Sequence, residues 1–461
     1  MRALTRSIGL PHATAMVVGT IVGASIFVQP SEVSRAVPSF GGMLIVWLAA
    51  GALTWFGASI CAELSSAFPL TGGVYVFLRE MFSPAVGFLW GWAMFWSMHS
   101  GIIAAIAVVF ARYVAGMAPG LVDETAVPLV AVGGIIALSA INYVGVRPGS
   151  VVQTGLTLAK IVAIAALLVL LFGSGVRAPH AAVAAPAADV RGFLRGLVAG
   201  LFAFGGWHMV TYAADETRDP ARTIPRALMI GVAVVVLVYL ALNAAYVIVL
   251  PLDRVLASTR IAADAASAVA GPRAAAAISG LVAMSALGAM SGIILAGPRV
   301  YYAMADDGLL FRWMGAVHPR FRTPYLAIVA QGVWSSVLVL TGTYGTIVSR
   351  VIYTEWIFFA ALALGTVALR RQRTYSPAFR AWGFPIAPAL FALICFAMVI
   401  NQIASDPRNA IWGLGLVVAG LPVYYLWRSF NGRRRLSQPL LSAEIHAGAA
   451  VGAEQRQGDD R

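Results

Sequence analysis

Lysine is nearly absent from this chain: of its 32 lysine and arginine residues, Lys160 alone is a lysine. Cysteine is almost as scarce, with only Cys61 and Cys395, both inside apolar runs. Two thiols so placed give no disulfide framework and no cysteine-rich metal cluster. Charge of either sign is sparse, at 11% of 461 residues, against about 25% in ordinary soluble domains. No lysine/arginine tract with interleaved aromatics occurs, so the net charge of +13 does not read as a nucleic-acid surface. It reads as arginine-rich loops on the cytoplasmic side of a membrane. What the chain does have is apolar surface: 60% of residues are hydrophobic and the mean hydropathy is +0.83. No aqueous core of this size absorbs that excess, so lipid surrounds most of the chain.

Apolar stretches of about 20 residues mark bilayer spans. They fall at 10–34, 41–67, 84–115, 126–145, 149–172, 191–214, 225–250, 274–304, 324–341, 345–369, 384–404 and 409–428. The first is long enough to span and is read as a helix rather than a cleavable signal. The expected fold is an all-α polytopic membrane protein with twelve transmembrane helices. An even count puts both termini on one side, and the arginines favour the cytoplasm for that side by about two to one. Residues 1–432 are expected to form one twelve-helix domain, with 176–188 as an external linker. The tail 433–461 turns polar and is expected to be disordered.

Two spans are interrupted by small residues near their middles: Gly19-Thr20-Ile21-Val22-Gly23-Ala24-Ser25-Ile26-Phe27, and Phe202-Ala203-Phe204-Gly205-Gly206-Trp207-His208. Glycine weakens a helix by about 1 kcal/mol relative to alanine. Taken alone, Gly19 and Gly23 are also a GxxxG packing pair. Taken together, the breaks open the first helix of each of two five-helix halves, as in inverted-repeat carriers. Free N–H groups at one half-helix start attract a carboxylate, and free carbonyls at another half-helix end accept from an ammonium. An α-amino acid carries both charges.

Lys160 sits mid-span, where charge is most costly, in a chain that uses arginine at every other basic position. Lysine can lose its proton when desolvated and arginine effectively cannot. A buried ionisable group in a span is a functional candidate by default. Glu63, near the end of the second span, reads as a loop anchor. Glu355 lies deeper and lines the cavity, accepts a proton or pairs with Arg350. His208 follows the second break and is a candidate either to face substrate or to pack; His99 reads as a packing residue.

These residues resemble the amino acid–polyamine–organocation superfamily, and most closely its L-type amino acid transporter branch. Gly19-Thr20-Ile21-Val22-Gly23 with Ile26-Phe27-Val28 is similar to the family's helix 1 signature. Ala62-Glu63-Leu64 through Gly73, Leu201 through Trp207, and Asp215-Glu216 through Asp219-Pro220 to Ile224-Pro225-Arg226-Ala227 resemble further motifs in the same order. The resemblance covers nearly the whole chain. It implies a five-plus-five inverted repeat (about 10–172 and 191–369) with two added helices (about 384–428).

It also implies that Val22, Gly23, Ala24, Ser25 and Ile26 surround the substrate carboxylate, with Phe202, Ala203 and Gly205 near the amino group; Thr20 and Ile21, just before them, are further candidate substrate-binding residues. Phe202 would be the aromatic gate. Tyr353 and Trp356 would fall where side-chain selectivity is set, and His208 and Glu355 are further candidate substrate-binding residues. Lys160 matches the lysine that replaces sodium in sodium-independent members, with Ser285 and Ser291 as its partners. The chain departs from the family at Ala24-Ser25, where Ser-Gly is usual, and at His208 and Glu355, where amides are common. The external loop 112–127 lacks cysteine, so no disulfide-linked partner subunit is expected.

The resulting expectation is a secondary transporter of amino acids, neutral L-amino acids first, in the plasma (cytoplasmic) membrane. It is sodium-independent, works by exchange or proton symport, and has the lipid bilayer and its substrate, with protons, as its partners. No cofactor, no metal and no enzymatic chemistry are expected. A polyamine or organocation carrier is the alternative within transport; an ion channel or membrane sensor is the alternative outside it. A major-facilitator carrier is disfavoured by the short loop between Asp215 and Ile224.

Overall fold

The computed structural model describes residues 6, 8–117, 123, 125–144, 146–178 and 189–431. The tail 433–461 and most of the 176–188 linker lie outside the described residues. All regular elements described are helical.

The chain opens with α1, Leu10–Ile21, a short 3-10 turn at Ala24–Phe27, and α2, Gln29–Ala36. The first apolar run is therefore two helices, not one. Then come α3, Phe40–Ala67; α4, Val74–Met81; and α5, Pro84–Met117, with a π-turn at Met94–Met98. α6 is Val127–Val144, α7 Val146–Gly173 and α8 Val190–Ala203. After a 3-10 segment, Trp207–Glu216, follow α9, Pro220–Val249; α10, Leu252–Ala257; and α11, Ile261–Asp306. The remainder is α12, Tyr325–Thr341; α13, Tyr344–Leu369; α14, Ile386–Ser405; α15, Pro407–Val418; and α16, Gly420–Asn431.

Helix starts carry local signals. The Ser39 and Asp189 side chains accept from the Gly42 and Gly192 N–H groups to cap α3 and α8, and Thr343 with Thr346 forms a capping box on α13. Proline occupies the first helical position of α5 and α9.

Eight helices among the described residues are long and apolar enough to cross a membrane, and α1, α12 and the Lys160–Gly173 part of α7 are shorter apolar helices. α11, at 46 residues, would be about 69 Å long if straight. It bends at Ala270–Gly271, where Gly271 adopts φ 76° ahead of Pro272. The expected span 274–304 starts just past that bend. Large side chains such as Leu129, Val169, Leu237 and Ile400 stand well exposed on the outside of the bundle, as a lipid-facing surface requires.

The interrupted helices sit inside. α1 packs on α9, α3 packs on both α8 and α9, and α11 packs on α7 and α5. Trp47, Phe204 and Tyr239 form one aromatic cluster beside the second break.

Candidate substrate-binding site

α1 ends because Gly23 is extended (φ −106°, ψ −168°) and turns its N–H to the Ile21 carbonyl at 2.7 Å. The carbonyls of Gly19, Thr20 and Ile21 thereby lose their helical donors. Each finds a different fate. Gly19 accepts from the Lys160 ammonium. Ile21 accepts from Gly23 and lies 3.0 Å from the Tyr239 hydroxyl. Thr20 meets no backbone donor among the described residues, and its oxygen faces Gly206, where a Cβ would come within 3.0 Å of it.

α8 ends at Ala203, and Gly206 takes the left-handed conformation (φ 96°) that glycine adopts without strain. The Ala203 carbonyl lies 3.0 Å from the same Tyr239 hydroxyl. One buried side chain on α9 therefore spans the ends of both broken helices. Its single proton is shared between two carbonyl poles.

Between the breaks lies a chamber of about 30 Å³ lined by Thr20, Ile21, Gly23, Ser25, Ile102, Ile106, Phe202, Gly205, Gly206, Met209, Ala289, Ile293, Val351, Ile352 and Glu355. That is room for one or two waters. Contacts close it at both ends. Toward the α1 start, the Ile8 N–H donates to the Glu216 carbonyl and the Ile8 carbonyl accepts from the Arg218 N–H, just after the second break, and Asp307 takes Tyr75 and Arg79 at 2.5 and 2.6 Å. Toward the other end, Gln29 donates to the Tyr344 hydroxyl at 3.0 Å, Tyr113 donates to the Phe27 carbonyl at 2.8 Å, and Arg35 donates to the Leu256 and Ser258 carbonyls. The structure is an occluded one.

Of the residues singled out from the sequence, Thr20, Ile21, Gly23, Ser25, Phe202, Gly205 and Glu355 line the chamber together. Val22, Ala24, Ile26 and Ala203 belong to the breaks but do not line it. Tyr353 and Trp356 line a separate, nearly closed gap with Met398 and Gln402. The reason is rotation: each residue turns a helix by about 100°, so Glu355 cannot share its face with Tyr353 and Trp356. His208 stands behind Glu355, with its Nε2 3.8 Å from Oε1. Ser291 accepts from Asn142 at 3.4 Å, and the Ser285 hydroxyl makes no hydrogen bond among the described residues. Arg350 lines a different crevice, with Trp96 and Trp334. Glu63 does anchor a loop: it takes both Arg370 nitrogens, at 2.8 and 2.5 Å, and the Ala381 N–H at 2.8 Å.

Sequence reasoning missed Tyr239, and it missed the apolar wall from α5, α11 and α13. The wall was findable for α13: Val351, Ile352 and Glu355 recur at helical spacing.

An apolar helical bundle whose two broken helices enclose an occluded chamber is the architecture of a multi-pass membrane transporter rather than an enzyme. The family comparison makes this specific. Residues 8–423 match the amino acid permease family model, and the chain belongs to that family, within the amino acid–polyamine–organocation superfamily. It is similar to the b(0,+)-type amino acid transporter 1 of Mus musculus, 28% identical across 95% of this chain and 91% of the relative. It is 27% identical to the cystine/glutamate transporter of Homo sapiens, covering 94% and 87%. It is 29% identical to the serine/threonine exchanger SteT of Bacillus subtilis (strain 168), covering 92% and 97%. The first two of these relatives belong to the L-type branch.

Proposed function

We propose that this chain carries α-amino acids, neutral L-amino acids first, by alternating access without sodium, around a twelve-helix, five-plus-five inverted repeat with both termini in the cytoplasm. The tail 433–461 and the plasma-membrane location are parts of the same reading. The observation that carries it is the allocation of carbonyls at the first break. Lys160 takes Gly19, Tyr239 takes Ile21, and Thr20 is left as an acceptor for a substrate ammonium. Backbone N–H groups at Ala24 and Ser25 start the following turn and suit the carboxylate. The mostly apolar wall suits an uncharged side chain. Unwound carbonyls commonly hold sodium in such carriers, and here an ammonium already meets one.

The relatives' names speak of cystine, glutamate, serine and threonine, so kinship supports amino acid transport without choosing the side chain. Two of the names describe exchange or paired substrates, which supports exchange over symport. The organocation reading draws on the polarity that Glu355 and His208 add.

The test is uptake into liposomes, with and without sodium, after a thermal-shift screen of amino acids. Methyl esters and decarboxylated amines should fail to compete with a transported amino acid. Strong competition by the amines would turn the reading to an organocation carrier, and a sodium requirement would remove the role given to Lys160.

A further inference from the structure

The chamber wall opposite the breaks is aliphatic except at Glu355, which is 3% exposed. Behind it, fully buried, stands His208. Trp90, Trp207, Tyr212 and Phe359 enclose the imidazole, with ring centroids 5.7, 5.6, 5.7 and 5.4 Å away. Neither of its nitrogens makes a hydrogen bond among the described residues. Glu355, 3.8 Å away, is the acid in reach. His208 does not line the chamber, so substrate meets the imidazole only through the carboxylate.

Isolated charge at this depth costs several kcal/mol. A Glu–His pair escapes that cost when it holds one proton, with net charge zero. Two protons would leave an uncompensated +1, and none an uncompensated −1. The other titratable groups nearby are His99 from α5, Tyr212 beside the imidazole, and Cys61 and Tyr301 behind Tyr212. None is a permanent cation. On α13 itself, Arg350 and Tyr353 line other spaces.

We propose that Glu355 is a recognition point for a positively charged substrate side chain, and that the proton shared with His208 stands in for that charge when it is absent. This deepens the amino acid reading and rests on it. When a cationic amino acid binds, its side-chain ammonium or guanidinium pairs with the Glu355 carboxylate. The proton leaves the pair for solvent, and His208 remains as a neutral imidazole. When a neutral amino acid binds, the proton stays. The chamber holds the same net charge in both cases, so one site accepts both classes without burying an unpaired charge.

The experiment is titration calorimetry on the purified full-length protein near neutral pH, with lysine, arginine and leucine, each in phosphate and in Tris. The buffers differ in ionisation heat, so the difference in measured heat counts protons. About one proton should be released per lysine or arginine bound and about none per leucine. In Glu355→Gln the lysine-to-leucine affinity ratio should fall by about tenfold or more. The lysine-linked proton release should disappear in the same variant, because the amide has no proton to exchange for the incoming charge. Leucine binding without lysine or arginine binding overturns the proposal and leaves the transport reading standing. So does lysine binding with no proton release in the unmodified protein, a measurement that needs no variant to fold. Failure of every amino acid to bind would instead remove the reading on which the proposal rests.

Discussion

Tyr239→Phe deletes one oxygen and leaves a ring that still packs on Trp47 and Phe204, whose centroids lie 5.9 and 4.9 Å away. No cavity the size of a side chain opens. What is lost is the hydroxyl 3.0 Å from both the Ile21 and the Ala203 carbonyls. Each carbonyl sits at the C-terminal end of a half-helix, so two negative poles face each other with one proton between them. Leaving a buried acceptor unsatisfied costs about 1–3 kcal/mol. That cost applies where the two breaks are held together and shrinks where they part and water reaches them. The variant should therefore disfavour the occluded state by about 5- to 150-fold. In proteoliposomes, amino acid uptake should fall in proportion, while the detergent-purified variant stays monodisperse. Uptake indistinguishable from the unmodified protein would refute the idea that this hydroxyl couples the breaks. A second variant, Tyr239→Leu, should do worse, because it also removes the aromatic packing.

Phe202→Ala should nearly abolish transport with folded protein still present in the membrane, and Phe202→Trp should keep part of it; full activity in the alanine variant would show that the gate lies elsewhere. Lys160→Ala should cost most of the activity by freeing the Gly19 carbonyl, and Lys160→Arg should restore it incompletely because the guanidinium is larger; uptake that survives Lys160→Ala counts against the tether. Glu63→Gln should lower thermal stability, since it weakens two bonds from Arg370 and one from Ala381. Truncating one partner of such a buried pair costs about 3–5 kcal/mol, and a melting temperature unchanged in a thermal-shift assay would contradict that.

Both breaks were legible because they are written locally. Glycine at 19 and 23 and the pair Gly205-Gly206 disrupt otherwise apolar runs, and the chain unwinds at Gly23 and at Gly205-Gly206, with Gly19 still inside α1. Lys160 was legible by its uniqueness. Tyr239 was not, because nothing near it in α9 marks it: its partners lie 218 and 36 residues away in the sequence, and only packing brings them together. His208 and Glu355 were each legible as buried ionisable groups, but their closeness is a tertiary fact. Tyr353 and Trp356, expected near the substrate side chain from the family resemblance, line a neighbouring gap instead of the chamber, because helical phase turns them away from the Glu355 face. The small size of the chamber had no sequence signal, since it depends on how the ends are latched.

The lone lysine has a practical meaning for chemistry at the bench. Acylating reagents that attack primary amines find one side chain in this protein, apart from an α-amino group, and it is buried against the Gly19 carbonyl. Its modification rate therefore acts as a clock for the parting of α7 from α1. A single mass increment on one peptide, followed over time with and without substrate, records that motion without any engineered label.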